Sequence, residues 1–296
     1  MSLEPADANP VFTTETTMIG QTGVLTSAQL QRYLDRVHYR GSLRPTIETL
    51  TGLHRAHLLS IPYENLDIHL GRTLTLDAEP IFTKLVDERR GGWCYEMNGL
   101  FGRVLDTLGF AVRPVSGAVG RATRGDKADG NHLVLIVTID ETPWIADVGF
   151  GDGFLEPLPL QPGVYRQDFL EFRISRDGDR WTVHSHEFSG ADSFDFTTEP
   201  RTMRWFGPQC HELQTSPDSG FVQKTVCQRF VPDGILTLRG AVLRHVTRHG
   251  AVDREITRGD EYARVLAERF DLTIPGAGSL FATVWARHLA WRSAPK

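Results

Sequence analysis

Among the three cysteines of this chain, Cys94 stands where the glycine pair Gly91 and Gly92 opens onto a strongly apolar helical pattern. Met97, Leu100, Phe101, Val104, Leu105 and Leu108 recur at spacings of three, four and seven, and Gly109 closes the run as a C-terminal cap would. The spacing predicts that Cys94 occupies the first turn of a helix. Unpaired N–H groups and the positive end of the helix dipole there favour thiolate over thiol, which supplies a nucleophile near neutral pH. A free cysteine is more often inert core; the glycines in front of this one argue for chemistry.

A thiolate needs a base to hold the proton and a third group to hold the base. His132 opens the apolar run Leu133 to Ile139, and Asp147 lies in the next run, Trp144 to Phe150. Asp140, Glu141, Thr142 and Pro143 lie between them as turn formers, so the two runs read as an antiparallel hairpin. His132 and Asp147 are an odd number of residues apart, which for an even-length loop puts both side chains on one face. The register stays open: a turn centred midway between them would oppose them directly, whereas a four-residue loop at 140–143 would offset them.

Other elements must hold these groups. Thr26 and Gln29 have capping-box spacing ahead of Leu30, Tyr33, Leu34 and Val37. A second helix is expected to start at Pro45 and carry Ile47, Leu50, Leu53 and Leu58, and a third to run from Asp77 to Arg89. With the cysteine helix these form an N-terminal helical region. After Gly109 the chain turns to short strands: Val112 to Val119, the hairpin above, and Phe169 to Trp181 folded around Asp177-Gly178. The final third mixes strands at Val222 to Phe230 and Ile235 to Val246 with helices near Asp260 to Phe270 and Leu280 to Trp291. The first 24 residues lack periodicity and read as a loosely ordered extension.

Composition bounds the function. A chain of 296 residues that is 40% hydrophobic can bury a sizeable core. A net charge of −5 without a Lys/Arg run argues against nucleic acid as partner. No apolar stretch approaches the ~20 residues of a membrane span, and the polar N-terminus lacks signal-peptide blocks. Three scattered cysteines with no Cys-x-x-Cys pair suit a reducing compartment and suggest no structural zinc, so a cytoplasmic protein without metal is expected.

The residues Arg90-Gly91-Gly92-Trp93-Cys94-Tyr95-Glu96, then His132, then Asp147-Val148-Gly149-Phe150-Gly151 resemble the arylamine N-acetyltransferase family. The likeness continues at His57 to Asp67 and at Ser216 to Val222, covering about residues 25–290. It implies an α+β fold with a cysteine-protease-like triad: a helical bundle carrying Cys94 at 25–110, an antiparallel β-barrel carrying His132 and Asp147 at 111–215, and an α/β lid at 216–296. The implied activity is xenobiotic metabolism by acyl transfer. Acetyl-CoA acylates Cys94, and the acetyl group passes in ping-pong order to a primary arylamine, arylhydrazine or arylhydroxylamine.

By the same resemblance, Tyr63, Phe150, Phe221 and Val119 stand at positions that hold a flat acceptor, although each also reads as core. Tyr63 replaces the usual Phe and brings a hydroxyl that needs a partner if buried. Asn131, also at a substrate-binding position, stands where Thr or Ser is more usual and lacks the hydroxyl that would contact acyl donor or substrate. Glu64 and Arg90 match a structural ion pair. His54 and His57, three apart on a helix, read as a solvated or core face because no third ligand accompanies them. Cys210-His211, between Pro208 and Pro217, reads as loop, Cys227 as strand core, and the Gly117 to Gly130 stretch as a loop near the cofactor. The rival readings are a papain-like or transglutaminase-like enzyme, an amide synthase taking an acyl chain from a carrier, and a non-catalytic binder. Neither the acceptor nor the oligomeric state is legible.

Overall fold

The computed structural model describes residues 23–293. All but Gly23 and Val24 of the expected extension lies outside them. The first helix, Ser27–Arg36, starts at the expected capping box, with Thr26 Oγ1 accepting from Gln29 N and Gln29 Oε1 accepting from Thr26 N. The second begins at Ile47 and not at Pro45, because Thr46 takes the N-cap position and its hydroxyl accepts from Thr49 N. The third is shorter than expected: an α-helical turn, Ala78–Phe82, widens into a π-helical turn, Thr83–Asp87. That wider turn carries Lys84, whose ammonium reaches the base of the cysteine helix.

Among the described residues thirteen strands follow the chain as β1 (Tyr63–Glu64), β2 (Ala111–Val119), β3 (His132–Ile139), β4 (Thr142–Ile145), β5 (Leu158–Pro159), β6 (Gly163–Gln167), β7 (Leu170–Asp177), β8 (Arg180–His184), β9 (Ser193–Pro200), β10 (Val226–Val231), β11 (Gly234–Arg239), β12 (Val242–Thr247) and β13 (Gly250–Glu255). Eight form one antiparallel sheet in the order β5-β4-β3-β2-β9-β8-β7-β6. Its two end strands are consecutive in the chain, so the sheet curls into a nearly closed barrel. Gln167 at the end of β6 draws the margins together: its Oε1 accepts from Leu155 N and Glu156 N, and its Nε2 donates to Glu156 O at 2.7 Å. Closure removes the exposed edges that an open sheet would present.

The other sheet has the order β1-β10-β11-β12-β13. Its first strand comes from the N-terminal helical region, so the backbone at Tyr63 is tied to the C-terminal part of the chain. The expected single run Ile235 to Val246 is a hairpin, β11 to β12, turned at Gly240, whose φ of 56° a glycine adopts without strain. Helices Gly259–Phe270 and Ala277–Ser293 cover this sheet through Leu266, Phe270 and Phe281.

The cysteine helix, Cys94–Thr107, lies between the N-terminal helices and the barrel. Met97, Leu100, Phe101, Val104 and Leu105 are buried in one core shared with Leu50, Leu53, Val134 and Ile136. Gly109 ends the helix at a φ of 85°, in the expected place. β3 is covered on both sides, which is why its run from Leu133 to Val137 is apolar throughout instead of alternating. No helix among the described residues is long and apolar enough to cross a membrane.

Candidate active site

Cys94 sits at the first position of its helix, as expected, and is only 2% exposed. The helix end alone does not make it a thiolate: burial pushes the thiol up, with the backbone N–H groups of Leu133 and Tyr95 pulling the other way. A second charge must therefore accompany the anion. The sulfur faces the backbone oxygen of Asn131 at 3.9 Å, immediately before His132.

His132 and Asp147 meet. His132 Nε2 lies 2.6 Å from Asp147 Oδ2, and both side chains are buried. The hairpin turn is two residues, Asp140 and Glu141, both at positive φ, and not the four at 140–143. Pro143 belongs to β4, opposite Thr138, where its carbonyl accepts from Leu160 N; a proline serves there because no N–H is asked of it. This register puts both side chains on one face and leaves Asp147 just past β4, where the chain bends toward the cysteine helix.

Asn98, one turn along that helix from Cys94, completes the carboxylate's surroundings. Its Nδ2 donates to Asp147 Oδ1 at 2.7 Å and to Leu133 O at 2.6 Å, and its Oδ1 accepts from Val148 N at 2.9 Å. Asp147 Oδ1 also accepts from Gly149 N. Burial alone would raise the Asp147 carboxyl, but the His132 ring and these hydrogen bonds outweigh it and hold it below the usual carboxylate range. A side chain at Gly149 would strike the Cys94 backbone, with 2.8 Å to its Cα, so the glycine lets strand and helix approach.

Buried charges fix the loop in front of Cys94. Arg90 bridges Glu64 and Asp67, each at 2.9 Å, and Lys84 bridges Asp67 at 2.9 Å and Glu96 at 2.8 Å. Glu96 in turn accepts from Trp93 N, the N-cap of the cysteine helix. The expected Glu64–Arg90 pair is thus part of a larger network. A side chain at Gly91 would overlap the Pro62 carbonyl oxygen.

A cavity of about 470 Å³ opens at the sulfur. Cys94, His132, Tyr63, Val119, Asn131, Phe150 and Phe221 all line it, while Asp147 stands behind His132. Phe150 and Phe194 pack edge-on to the His132 ring at 5.4 and 5.3 Å, and Phe221 packs on Trp93 at 5.4 Å. Asn131 spends its amide on the backbone: its Oδ1 accepts from Val119 N and its Nδ2 donates to Val119 O. Sequence reasoning passed over Asn98, Asp152, Lys224, Gln228 and Arg239. For Asn98 a signal existed, a polar residue four after Cys94 on a buried face.

A second cavity of about 430 Å³ adjoins the first, and Asp152, Gly190, Gln223, Lys224 and Arg239 line both. Arg244 and Arg287 add charge and Trp291 adds an aromatic face.

Of the remaining candidates, His54 and His57 are core: His54 Nδ1 meets Leu155 O at 2.9 Å and His57 Nδ1 meets the Tyr33 hydroxyl at 3.0 Å. Cys210 and His211 lie in a helix, Gly207–Thr215, and not in a loop; Pro208 sits in its first turn, where a proline starts a helix instead of breaking one. Cys227 is buried in β10, as expected. No group of three or more His, Cys, Asp or Glu residues able to hold a metal occurs among the described residues.

The N-acetyltransferase family model matches residues 46–278. The chain is 32% identical to a pineal gland isozyme of arylamine N-acetyltransferase from Gallus gallus, over 83% of this chain and 94% of that protein. It is 34% identical to the arylamine N-acetyltransferase of Escherichia coli strain K12, over 84% and 90%. The structure of Mycobacterium marinum arylamine N-acetyltransferase in complex with CoA superposes with a TM-score of 0.79 at 32% identity, covering 86% of this chain and 98% of that one. Fold and family model together define an acyltransferase enzyme of mixed helix and sheet. The chain belongs to the arylamine N-acetyltransferase family.

Proposed function

We propose that this enzyme moves an acetyl group from acetyl-CoA to primary arylamines, arylhydrazines or arylhydroxylamines, in ping-pong order through an acetyl-Cys94. One observation carries the reading: Cys94 and the Asp147-held His132 ring line the same cavity. Asp147 takes Nε2 and leaves Nδ1 to serve the sulfur. Because burial disfavours the lone thiolate, the anion exists as a pair with imidazolium. The thiolate attacks the thioester carbon, and the N–H groups of Leu133 and Tyr95, which face the sulfur, are placed to steady the developing oxyanion. CoA leaves with the imidazolium proton. The amine then attacks the acetyl-cysteine, His132 accepts its proton, and Cys94 leaves as thiolate.

On this reading Tyr63, Val119, Phe150 and Phe221 hold the acceptor ring and Asn131 fixes the Val119 wall. The M. marinum relative was solved with CoA. Here Lys224 and Arg287 around the second cavity suit its phosphates, with the pantetheine reaching through the shared wall toward Cys94. The bundle, barrel and lid then divide near residues 110 and 215, and the buried free thiols suit the cytoplasm. The test is CoA release across acetyl-, propionyl- and malonyl-CoA, each offered an arylamine, an arylhydrazine and a peptide. Release from acetyl-CoA with the arylamine is expected; turnover with the peptide alone contradicts the reading.

A further inference from the structure

Tyr63 is the cavity residue whose chemistry the transfer steps leave unused. Antiparallel pairing with Gln228 and a parallel bridge to Gly92 fix its backbone beside the cysteine loop. Its side chain is only 8% exposed and lines the cavity with Cys94, Phe150 and Phe221. Its hydroxyl has no hydrogen-bond partner among the described residues. Burial, and the nearby Cys94 and Asp152, push its ionisation well above the usual phenol range, so it remains a neutral donor at any working pH. This donor borders open space that a ligand can fill.

The same wall carries a cation. Arg239 lines the same cavity as Tyr63 and has no ion-pair partner among the described residues. The neighbouring acid, Asp152, is turned to its own loop, where its carboxylate accepts from Ser189 Oγ at 3.1 Å and Gly190 N at 2.9 Å. Arg124 and Lys224 add two more cations to the cavity, against Asp152. A phenol and a guanidinium, both unpartnered and both facing the space beside the nucleophile, form a donor pair for one acceptor group.

We infer that Tyr63 and Arg239 select the acceptor: they bind a carboxylate carried on the ring of the incoming arylamine, so that an aminobenzoate is preferred to an aniline with an apolar substituent. The inference rests on the acyl-transfer reading. Tyr63 donates through its hydroxyl and Arg239 supplies the charge, while Phe150 and Phe221 hold the ring. A phenylalanine at position 63 would offer the cavity an apolar ring and no donor.

The full-length enzyme, acetylated with acetyl-CoA, is offered para-aminobenzoate or para-methylaniline, and kcat/KM is measured for each in the wild type, Tyr63→Phe and Arg239→Gln. The wild type is expected to favour the carboxylate. Each variant is expected to lower the ratio of the two constants about tenfold or more, the size of one hydrogen bond to a charged group. A structural role would depress both acceptors together and leave the ratio unmoved, which overturns the inference. So does a wild type that favours para-methylaniline, or a Tyr63→Phe defect confined to Cys94 acetylation, which would assign the hydroxyl to the acyl group. Cys94 acetylation is scored by mass in the same samples. If Cys94 fails to acetylate, the transfer reading falls and this inference with it; if it acetylates and the ratio holds, only this inference falls.

Discussion

The Asn98 amide of the cysteine helix donates at 2.7 Å to Asp147 Oδ1, while Asp147 Oδ2 meets the His132 ring at 2.6 Å. One helix therefore carries both the nucleophile and the clamp on the carboxylate that steadies the base. The barrel hairpin and the helix are held in mutual register through this amide, which also binds Leu133 O and Val148 N on either side.

Asn98→Ala removes the side-chain partner of Val148 N and a donor from both Leu133 O and Asp147 Oδ1, the latter keeping only Gly149 N. A loss of about 2–4 kcal/mol in unfolding free energy is expected. The rate of Cys94 acetylation is expected to fall with it, because the carboxylate then loses one of the bonds that orient it. Urea unfolding and single-turnover CoA release check the two effects separately.

The thiol's dependence on His132 has a sign. Burial raises the Cys94 thiol, so without an imidazolium the thiolate appears only at high pH. His132→Gln is expected to slow iodoacetamide alkylation of Cys94 at pH 7 by about 100-fold or more and to move the remaining reactivity to alkaline pH. A variant that alkylates at the wild-type rate would show that the helix end suffices by itself.

The elements were largely legible from periodicity and caps. The cysteine helix, its glycine terminus and the capping box at Thr26 all stand where spacing put them. The hairpin was legible in parity and not in register, since Asp140 and Glu141 adopt positive φ without the Asn or Gly that normally announces such a turn. Pro143 and Pro208 misled for one reason: a proline marks a missing N–H, and both sit where none is needed. The ion network beyond Glu64 and Arg90 was hidden because Asp67, Lys84 and Glu96 come together only through tertiary packing. Burial opposing the helix dipole at Cys94 is likewise a property of the folded chain.

Arg90 is buried against Glu64 and Asp67. Arg90→Met removes the positive partner and leaves carboxylates facing one another away from water. Destabilisation of about 3–5 kcal/mol is expected, read as a lowered Tm and as a cysteine loop newly open to proteolysis.

His54 is a buried neutral imidazole whose ionisation burial depresses to about 4. An unfolded chain takes up that proton near the ordinary histidine value, so the unfolded state binds more protons between the two values. Its contribution is fully present above about pH 6.5 and is lost as pH falls toward 4, a change of about 3 kcal/mol. His54→Asn, which keeps a donor for Leu155 O, is expected to flatten the fall of the urea midpoint between pH 7 and 5. An unchanged slope would place the acid sensitivity elsewhere, with His57 the next buried ring to vary.

The central claim is that Cys94 carries the acetyl group between two substrates that need not meet. The enzyme mixed with acetyl-CoA alone, with no amine present, is expected to release one CoA per active site and to show one added acetyl group on the peptide containing Cys94 by mass spectrometry. CoA released only after an arylamine is added, with Cys94 unmodified throughout, would contradict it.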